Sequence, residues 1–297
     1  NRMRGDPAAE LELLVNDFNP ISSPFSDIDN ALRFFDVDGA QLQSEWSSLS
    51  SAPPLAWHDA LIDAAKDHSQ LMIDHDVQSH QLPGELGLGD RVRDAGYENW
   101  SRLTENVFAF GRSPIHAHGG FVIDWGDPDG DGDGMQDPPG HRQNIMDNAV
   151  REVGIGILED DDATTDVGPL VVTQDFGSRF DIEDATLLGV VYSDANGDGR
   201  YTAGEGLENV DVSIRNAGES VATTSSFEAG GYQLQLPAGS YDVVFSGGEL
   251  DRTVVRPVEI EQHNVKLDVE TLILPEAADV TARHVFYNDS SFDGNDA

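Results

Sequence analysis

Pro139-Gly140-His141-Arg142-Gln143-Asn144-Ile145-Met146 follows directly on an acidic, glycine-rich run, Asp127-Pro128-Asp129-Gly130-Asp131-Gly132-Asp133-Gly134-Met135-Gln136-Asp137-Pro138. The octet reads as a short amphipathic helix with His141 in its opening turn and Ile145 and Met146 on its apolar side. The run before it repeats carboxylates at Asp129, Asp131 and Asp133 with Gly134 next, the opening of a calcium loop. A rigid element thus presents a metal ligand or acid–base group beside a candidate ion site.

Composition limits what such a site could serve. The chain has 297 residues, long enough for two domains, with 17 basic and 55 acidic residues and a net charge of -38. Nucleic acid and anionic membrane are polyanions and are excluded as partners, whereas divalent cations are natural counterions. Much of that acidity reads simply as a solvated surface. Cysteine is absent, so neither disulfides nor thiolate chemistry is available, and calcium can serve as the staple of an extracellular domain. No apolar run approaches the roughly 20 residues of a transmembrane helix. The opening Asn1-Arg2-Met3-Arg4 and the closing Ser291–Ala297 read as the cut ends of a longer polypeptide.

Outward from His141, the patterns change once. Asp6-Pro7 starts a helix continued by Leu11, Leu14, Val15 and Phe18. Asn19 to Asp38, with Pro20, Pro24 and many Ser and Asp, predicts a long surface loop. Leu61, Ala64, Ala65, His68, Leu71, Met72 and His75 predict a helix from about Trp57 to Asp76, and Arg91, Val92 and Ala95 a shorter one after the turn at Gly84–Gly89. Ile115 to Trp125 continues as a helix. Val153–Leu158 and Leu170–Phe176 predict a hairpin, closing a mixed unit near Phe180. Beyond Leu187 only short strand patterns recur: Leu188–Tyr192, Val210–Ile214, Tyr232–Leu236, Tyr241–Phe245, Thr253–Val255 and Val265–Val269, which argue for a β-sandwich.

Three constellations carry chemistry. In Asp194-Ala195-Asn196-Gly197-Asp198-Gly199-Arg200-Tyr201-Thr202-Ala203-Gly204-Glu205, oxygen donors Asp194, Asn196 and Asp198 precede Gly199, the Arg200 carbonyl and a closing Glu205, in calcium-loop register. A plain acidic turn does not account for Glu205. The loop of Asp129, Asp131, Asp133 and Asp137 lacks that closing glutamate, so Asp137, Asp127 or Asp124 would complete its shell. Two carboxylates about 4 Å apart repel by about 4 kcal/mol at an effective dielectric of about 20, so close packing there calls for a cation. The third set, His80, Glu105 and His141, is dispersed. Each alone is more often structural, as His58, His68, His75, His263 and His284 are read to be, at the surface or the edge of the core. Two imidazoles and a carboxylate would suit zinc or another divalent ion with positions open for water, although spacing does not show that they converge.

Asn1–Ala9, Pro54-Leu55-Ala56-Trp57, Ala64–Ser69, Ser79-His80, Asp90-Arg91-Val92 with Ala95-Gly96-Tyr97, Glu105-Asn106-Val107, Gly140–Met146 and Val153–Gly156 together resemble the CAP superfamily of cysteine-rich secretory, antigen 5 and pathogenesis-related proteins, in its bacterial SCP-like branch. The resemblance implies an α-β-α sandwich with a cleft into which His80, Glu105 and His141 project. The family often adds a second cleft acid. Here Asp124 stands in its place, with His116 and His118 as further candidates. Gly189–Asp194, Gly206–Val212 and Gly231–Tyr241 resemble the calcium-binding B-type repeats of bacterial surface adhesins (SdrD B-like), which implies a rigid spacer or presenter.

The expected architecture is therefore α+β: a CAP-type α-β-α sandwich over residues 1–180, an all-β sandwich of the immunoglobulin or prealbumin-like kind over 184–272, and a linker with the start of another module over 273–297. The expected role is binding at the cell surface or outside the cell. A divalent metal sits in the His/Glu cleft, calcium stiffens the sandwich, and a lipid, glycan or peptide is the ligand. The alternatives are a metal-dependent, peptidase-like hydrolase with Glu105 or Asp124 as general base, and a subunit of a surface matrix or filament. No Gly-x-Ser-x-Gly elbow supports a covalent route.

Overall fold

The computed structural model describes residues 1–126, 132–162, 164–250 and 252–271. The chain opens with α1 (Arg2–Gly5) and α2 (Pro7–Leu14), separated by Asp6, whose side chain accepts the Ala9 amide while Pro7 fills the first turn, where a missing N–H costs nothing. A two-residue ladder, β1 (Asp17–Phe18) with β2 (Ile21–Ser22), leads into α3 (Ser26–Phe34) and α4 (Gly39–Trp46). This corrects the expected surface loop at Asn19–Asp38. Ile28 and Leu32, one turn apart, are fully buried, and their packing overrides the local proline and Ser/Asp content. There follow β3 (Ala56–Trp57), α5 (Asp59–His75), α6 (Leu88–Asp94), β4 (Trp100–Gly111), α7 (Pro114–Ile123), α8 (Gly140–Met146), β5 (Glu152–Glu159) and β6 (Leu170–Arg179).

These strands form one sheet in the order β3-β5-β6-β4, with β5 and β6 the expected antiparallel hairpin and β4 an edge strand against β6. Helix α5 lies directly on one face. A Cβ on Gly154 would stand 2.0 Å from the Leu61 carbonyl carbon, and one on Gly156 2.4 Å from that of Ala65, so only glycine admits this approach. The opposite face is covered by α1–α4, α7 and α8 around a core that includes Leu14, Ile28, Leu32, Phe121 and Ile123, while α6 packs beside α5 through Val92. The result is the expected α-β-α sandwich.

The second unit contains β7 (Ala185–Ser193), β8 (Asp211–Asn216), β9 (Glu219–Ser225), β10 (Gly231–Leu236), β11 (Gly239–Ser246), β12 (Val254–Ile260), β13 (Val265–Lys266) and β14 (Val269–Thr271). One sheet runs β10-β7-β13 with β14 also on β7, and the other runs β12-β11-β8-β9. Leu187, Val191, Val212, Ile214, Tyr232 and Phe245 fill the space between them. Strand β9 had no forecast, because Glu219-Ser220-Val221-Ala222-Thr223-Thr224-Ser225 shows no buried apolar face.

Side chains clamp the two units together. Asn264 donates to the carbonyls of Pro54 at 3.0 Å and Arg151 at 2.8 Å while accepting the Thr186 amide at 3.0 Å. The Gln233 amide pairs both ways with the Trp57 backbone, each bond 2.9 Å. Residues 273–297, the expected linker and further module, lie outside the described residues. Among the described residues no helix is long and apolar enough to cross a membrane.

Candidate ligand cleft

The site is built on the free edge of β4. The Gln78 side chain extends that edge, donating to the Val107 carbonyl at 3.3 Å and accepting the Ala109 amide at 3.1 Å. Two residues on, His80 is thereby brought to Glu105, with Nδ1 2.8 Å from Oε1. The other oxygen of Glu105 accepts from Arg91, on α6. Burial alone would raise the Glu105 pKa, but the His80 hydrogen bond and the Arg91 and His68 charges outweigh it and hold the group below the usual carboxylate range.

Behind this pair lies a buried charged cluster that the sequence reading missed. His68, expected at the surface or the core edge, is completely buried on α5. Its Nδ1 lies 2.7 Å from Glu85 Oε1, its Nε2 lies 3.0 Å from the Ser79 carbonyl, and Arg91 joins Glu85 to Glu105. Its place on the helix stripe carried the burial signal, and the partners supplied by Glu85 and Ser79 offset the cost of burying a polar ring. Asp175, which faces Glu105 across the β4–β6 ladder, is also fully buried, and neither of its oxygens has a donor among the described residues. Burial first, and then the adjacent Glu105 charge, push its pKa well above the ordinary value. As a neutral acid it can donate to Glu105.

The second half of the site hangs from α7 and α8. Helix α7 ends at Asp124 in a left-handed conformation, φ 64°, which Asp tolerates better than most residues. From there Oδ1 lies 2.6 Å from His141 Nδ1, and Oδ2 accepts the amides of His141 at 2.9 Å and Arg142 at 3.3 Å. Helix α8 has no side-chain cap of its own, so Asp124 caps it from a distance. Asn106 donates to the His141 carbonyl, and Asn144 to the Glu105 carbonyl, both at 3.1 Å. Buried Arg4 binds the last carbonyls of α8 at Ile145, 2.7 Å, and at Asp147, 2.9 Å. Successive strand residues face opposite ways, so Glu105 reaches His80 while Asn106 reaches α8.

The structure therefore pairs the candidate residues as His80 with Glu105 and His141 with Asp124. Each carboxylate engages Nδ1, which fixes the tautomer and leaves Nε2 as the outward donor atom, the usual arrangement of an acid behind a metal-binding histidine. Among the described residues, no three His, Asp or Glu side chains as they stand form a group that could hold a metal ion. The donor set that fits one is the two imidazole Nε2 atoms with the acids behind them. His118 is turned away, to Glu10 at 2.9 Å.

Beside His141 opens a cavity of about 770 Å³ lined by Phe34, Phe35, Phe108, Phe110, Trp125 and His116. Burial lowers the pKa of His116, against a smaller opposing effect of Asp27, and favours its neutral form. Phe110 is half exposed and sits at φ 61°, where β4 shifts register. The acidic insertion forms part of the wall. Trp125 bridges Met135, Met135 is buried, and the Asp133 carbonyl accepts the Asp38 amide at 2.8 Å. Of the insertion's candidate calcium ligands, Asp127, Asp129 and Asp131 lie outside the described residues, Asp133 accepts the Met135 amide at 2.9 Å, and Asp137 is exposed.

In the Asp194–Glu205 loop the acids turn inward on their own backbone. Asp194 accepts amides from Gly197, Asp198 and Gly199, and Glu205 accepts those of Ala195, Asn196 and Thr202. Asn196 accepts the amide of Asp198, and Asp198 that of Arg200. The donor chemistry suits a hard cation, which would compete with these bonds for the oxygen lone pairs.

Glu105 on an edge strand with His80 from the loop before α6, and Asp124 and His141 on two short helices, set beside an aromatic cavity, define a layered cleft protein joined to a β-sandwich. Residues 29–176 match the Cysteine-rich secretory protein family (CAP), so the chain carries a CAP domain followed by a β-rich region. No curated protein matches the chain. Similar solved structures include an extracellular protein containing an SCP domain from Bacillus anthracis, 21% identical with TM-score 0.33 over 52% of this chain and 40% of that one. Another is an outer surface protein from Borrelia burgdorferi, 14% identical with TM-score 0.34 over 52% of this chain and 92% of that one. A third is a Klebsiella pneumoniae 5-hydroxyisourate hydrolase, 18% identical with TM-score 0.24 over 30% of this chain and 90% of that one. At these TM-scores the likenesses add nothing to the fold described above. The chain spans 40% of the length of the Bacillus anthracis protein.

Proposed function

We propose that this chain is a binding module of the cell surface or extracellular space, whose CAP cleft takes the apolar part of a lipid or peptide. The observation that supports this reading is the aromatic cavity of about 770 Å³ beside His141, within the roughly 300–1,000 Å³ of small-ligand pockets. Its lining favours an apolar group over a glycan. His80 and His141 hold a divalent ion, with Glu105 and Asp124 orienting the imidazoles. Zinc or a similar ion bound there supplies Lewis-acid polarisation of a ligand oxygen. Calcium in the Asp194–Glu205 loop stiffens the β-sandwich in the manner of adhesin repeats, so that the second unit presents the first. A longer surface polypeptide or assembly is the natural setting for such a presenter.

The second reading is hydrolysis in the same cleft, favoured by the two acid–histidine pairs. Glu105→Gln separates the two. A binding module keeps its affinity for a fluorescent fatty acid such as cis-parinaric acid, whereas a hydrolase loses turnover of peptide and cell-wall substrates. Metal analysis of untreated protein is expected to find one divalent ion that is lost in His80→Ala and in His141→Ala. Metal contents equal in all three proteins would contradict the cleft ligands named here.

A further inference from the structure

A second cavity, of about 530 Å³, lies away from the CAP cleft, where the outer face of β7 and β10 meets α1, α2 and β3. Its walls include Trp57 from the CAP domain and Tyr192, Tyr201 and Phe227 from the β-rich unit. Trp57 is 47% and Phe227 63% exposed, and Tyr201 stands edge-on to Tyr192 with ring centroids 5.9 Å apart. The Gln233–Trp57 backbone clamp fixes the two walls against each other.

The side chains that line this cavity are net basic, in contrast to the molecule, although the acids Glu270, Asp194 and Glu205 lie close enough to act on Tyr192. In a chain of net charge -38, the lining holds three basic side chains, Arg2, Arg200 and Lys266, and one acidic one, Asp268. Arg2 is paired with Glu10 and Lys266 with Asp268, whereas Arg200 has no carboxylate partner among the described residues. Flat aromatic faces with cationic and hydroxyl groups at their edges suit a ring that is apolar on its faces, hydroxylated at its rim and singly negative. We propose that this interdomain cavity binds a carboxylated pyranose of an acidic glycan, stacked on Trp57 with its carboxylate on Arg200.

The experiment is calorimetric titration of the full chain with trigalacturonate and with its neutral methyl ester. Saturable 1:1 binding of the acid is expected, at least tenfold tighter than that of the ester. Arg200→Gln, on an exposed loop, should reduce acid binding about tenfold and leave ester binding unchanged. Trp57→Ala should weaken both. His141→Ala, in the other cleft, should weaken neither, so that failure here is distinct from failure of the CAP-cleft reading. Circular dichroism melting of each variant establishes that it is folded. No binding of the acid, equal binding of acid and ester, affinity unchanged in folded Trp57→Ala and Arg200→Gln, or capture of an acidic tyrosyl peptide in place of the saccharide would each overturn the proposal.

Discussion

Asp124 performs two tasks with two oxygens, capping α8 through one and holding His141 through the other. Replacing it with Asn leaves one acceptor for the backbone amides and turns an NH2 donor onto the Nδ1–H of His141. Asp124→Asn should therefore lower stability by about 1–3 kcal/mol in urea unfolding and release the His141 ring, seen as a shifted imidazole resonance. An unshifted resonance and unchanged midpoint would deny Asp124 both roles. Asp175 gives a prediction of opposite sign. Its folded pKa lies above its unfolded one, so its contribution to stability is present at low pH and falls as pH rises through the folded value. Asp175→Asn removes that loss while keeping a donor toward Glu105. The variant's melting temperature relative to the parent should rise as pH increases above the ordinary carboxylate range and level off once pH passes the folded value, and a constant difference would contradict a neutral Asp175. His80, Glu105, Asp124 and His141 could be named as candidates from the sequence, but that His80 pairs with Glu105 and His141 with Asp124 could not. Asp175 sits far along the chain from Glu105 and meets it only through strand register, which no local spacing encodes.

Elements were legible where one face is apolar at a fixed period, as in α5, and illegible where tertiary packing decides. Helix α3 is the example, since Ile28 and Leu32 reach the core from a stretch whose prolines and serines predict a loop. The acidic insertion is pinned to the corner after α3 by Gly134, at φ +75°, where an added Cβ would stand 2.4 Å from the Phe35 carbonyl oxygen. Gly134→Ala should cost about 1–3 kcal/mol and loosen the cavity wall, read as faster amide exchange at Met135 and Gln136. Unaltered exchange would mean that the insertion is held elsewhere. Glu10 ties α2 to α7. Burial alone would raise its pKa, but bonds from Arg2 and His118 outweigh that and bring it from 4.5 down to about 2. A depressed carboxylate stabilises the fold above its unfolded pKa and ceases to do so as pH falls through the folded value. The fold should thus lose about 3 kcal/mol between pH 4.5 and 2, a loss absent from Glu10→Gln. Parallel acid-unfolding curves for the two proteins would refute it.

At the scale of the whole molecule, the change from helical to alternating pattern near Leu187 made the order of a mixed unit and a β-sandwich readable. What lies between the units was not, because the Asn264 and Gln233 clamps join residues far apart in sequence. If calcium occupies the Asp194–Glu205 loop, a chelator should lower the melting temperature of the β-rich unit more than that of the CAP domain. Equal melting of both units with and without chelator would remove calcium from the account. The binding role rests on the aromatic cavity beside His141. Titration of the full chain with cis-parinaric acid tests it most directly, alongside Ala31→Trp, which fills the cavity from α3. Saturable 1:1 binding by the parent, lost in a variant with an unchanged melting temperature, is the predicted result. Absence of binding, or the same affinity in both proteins, would contradict it.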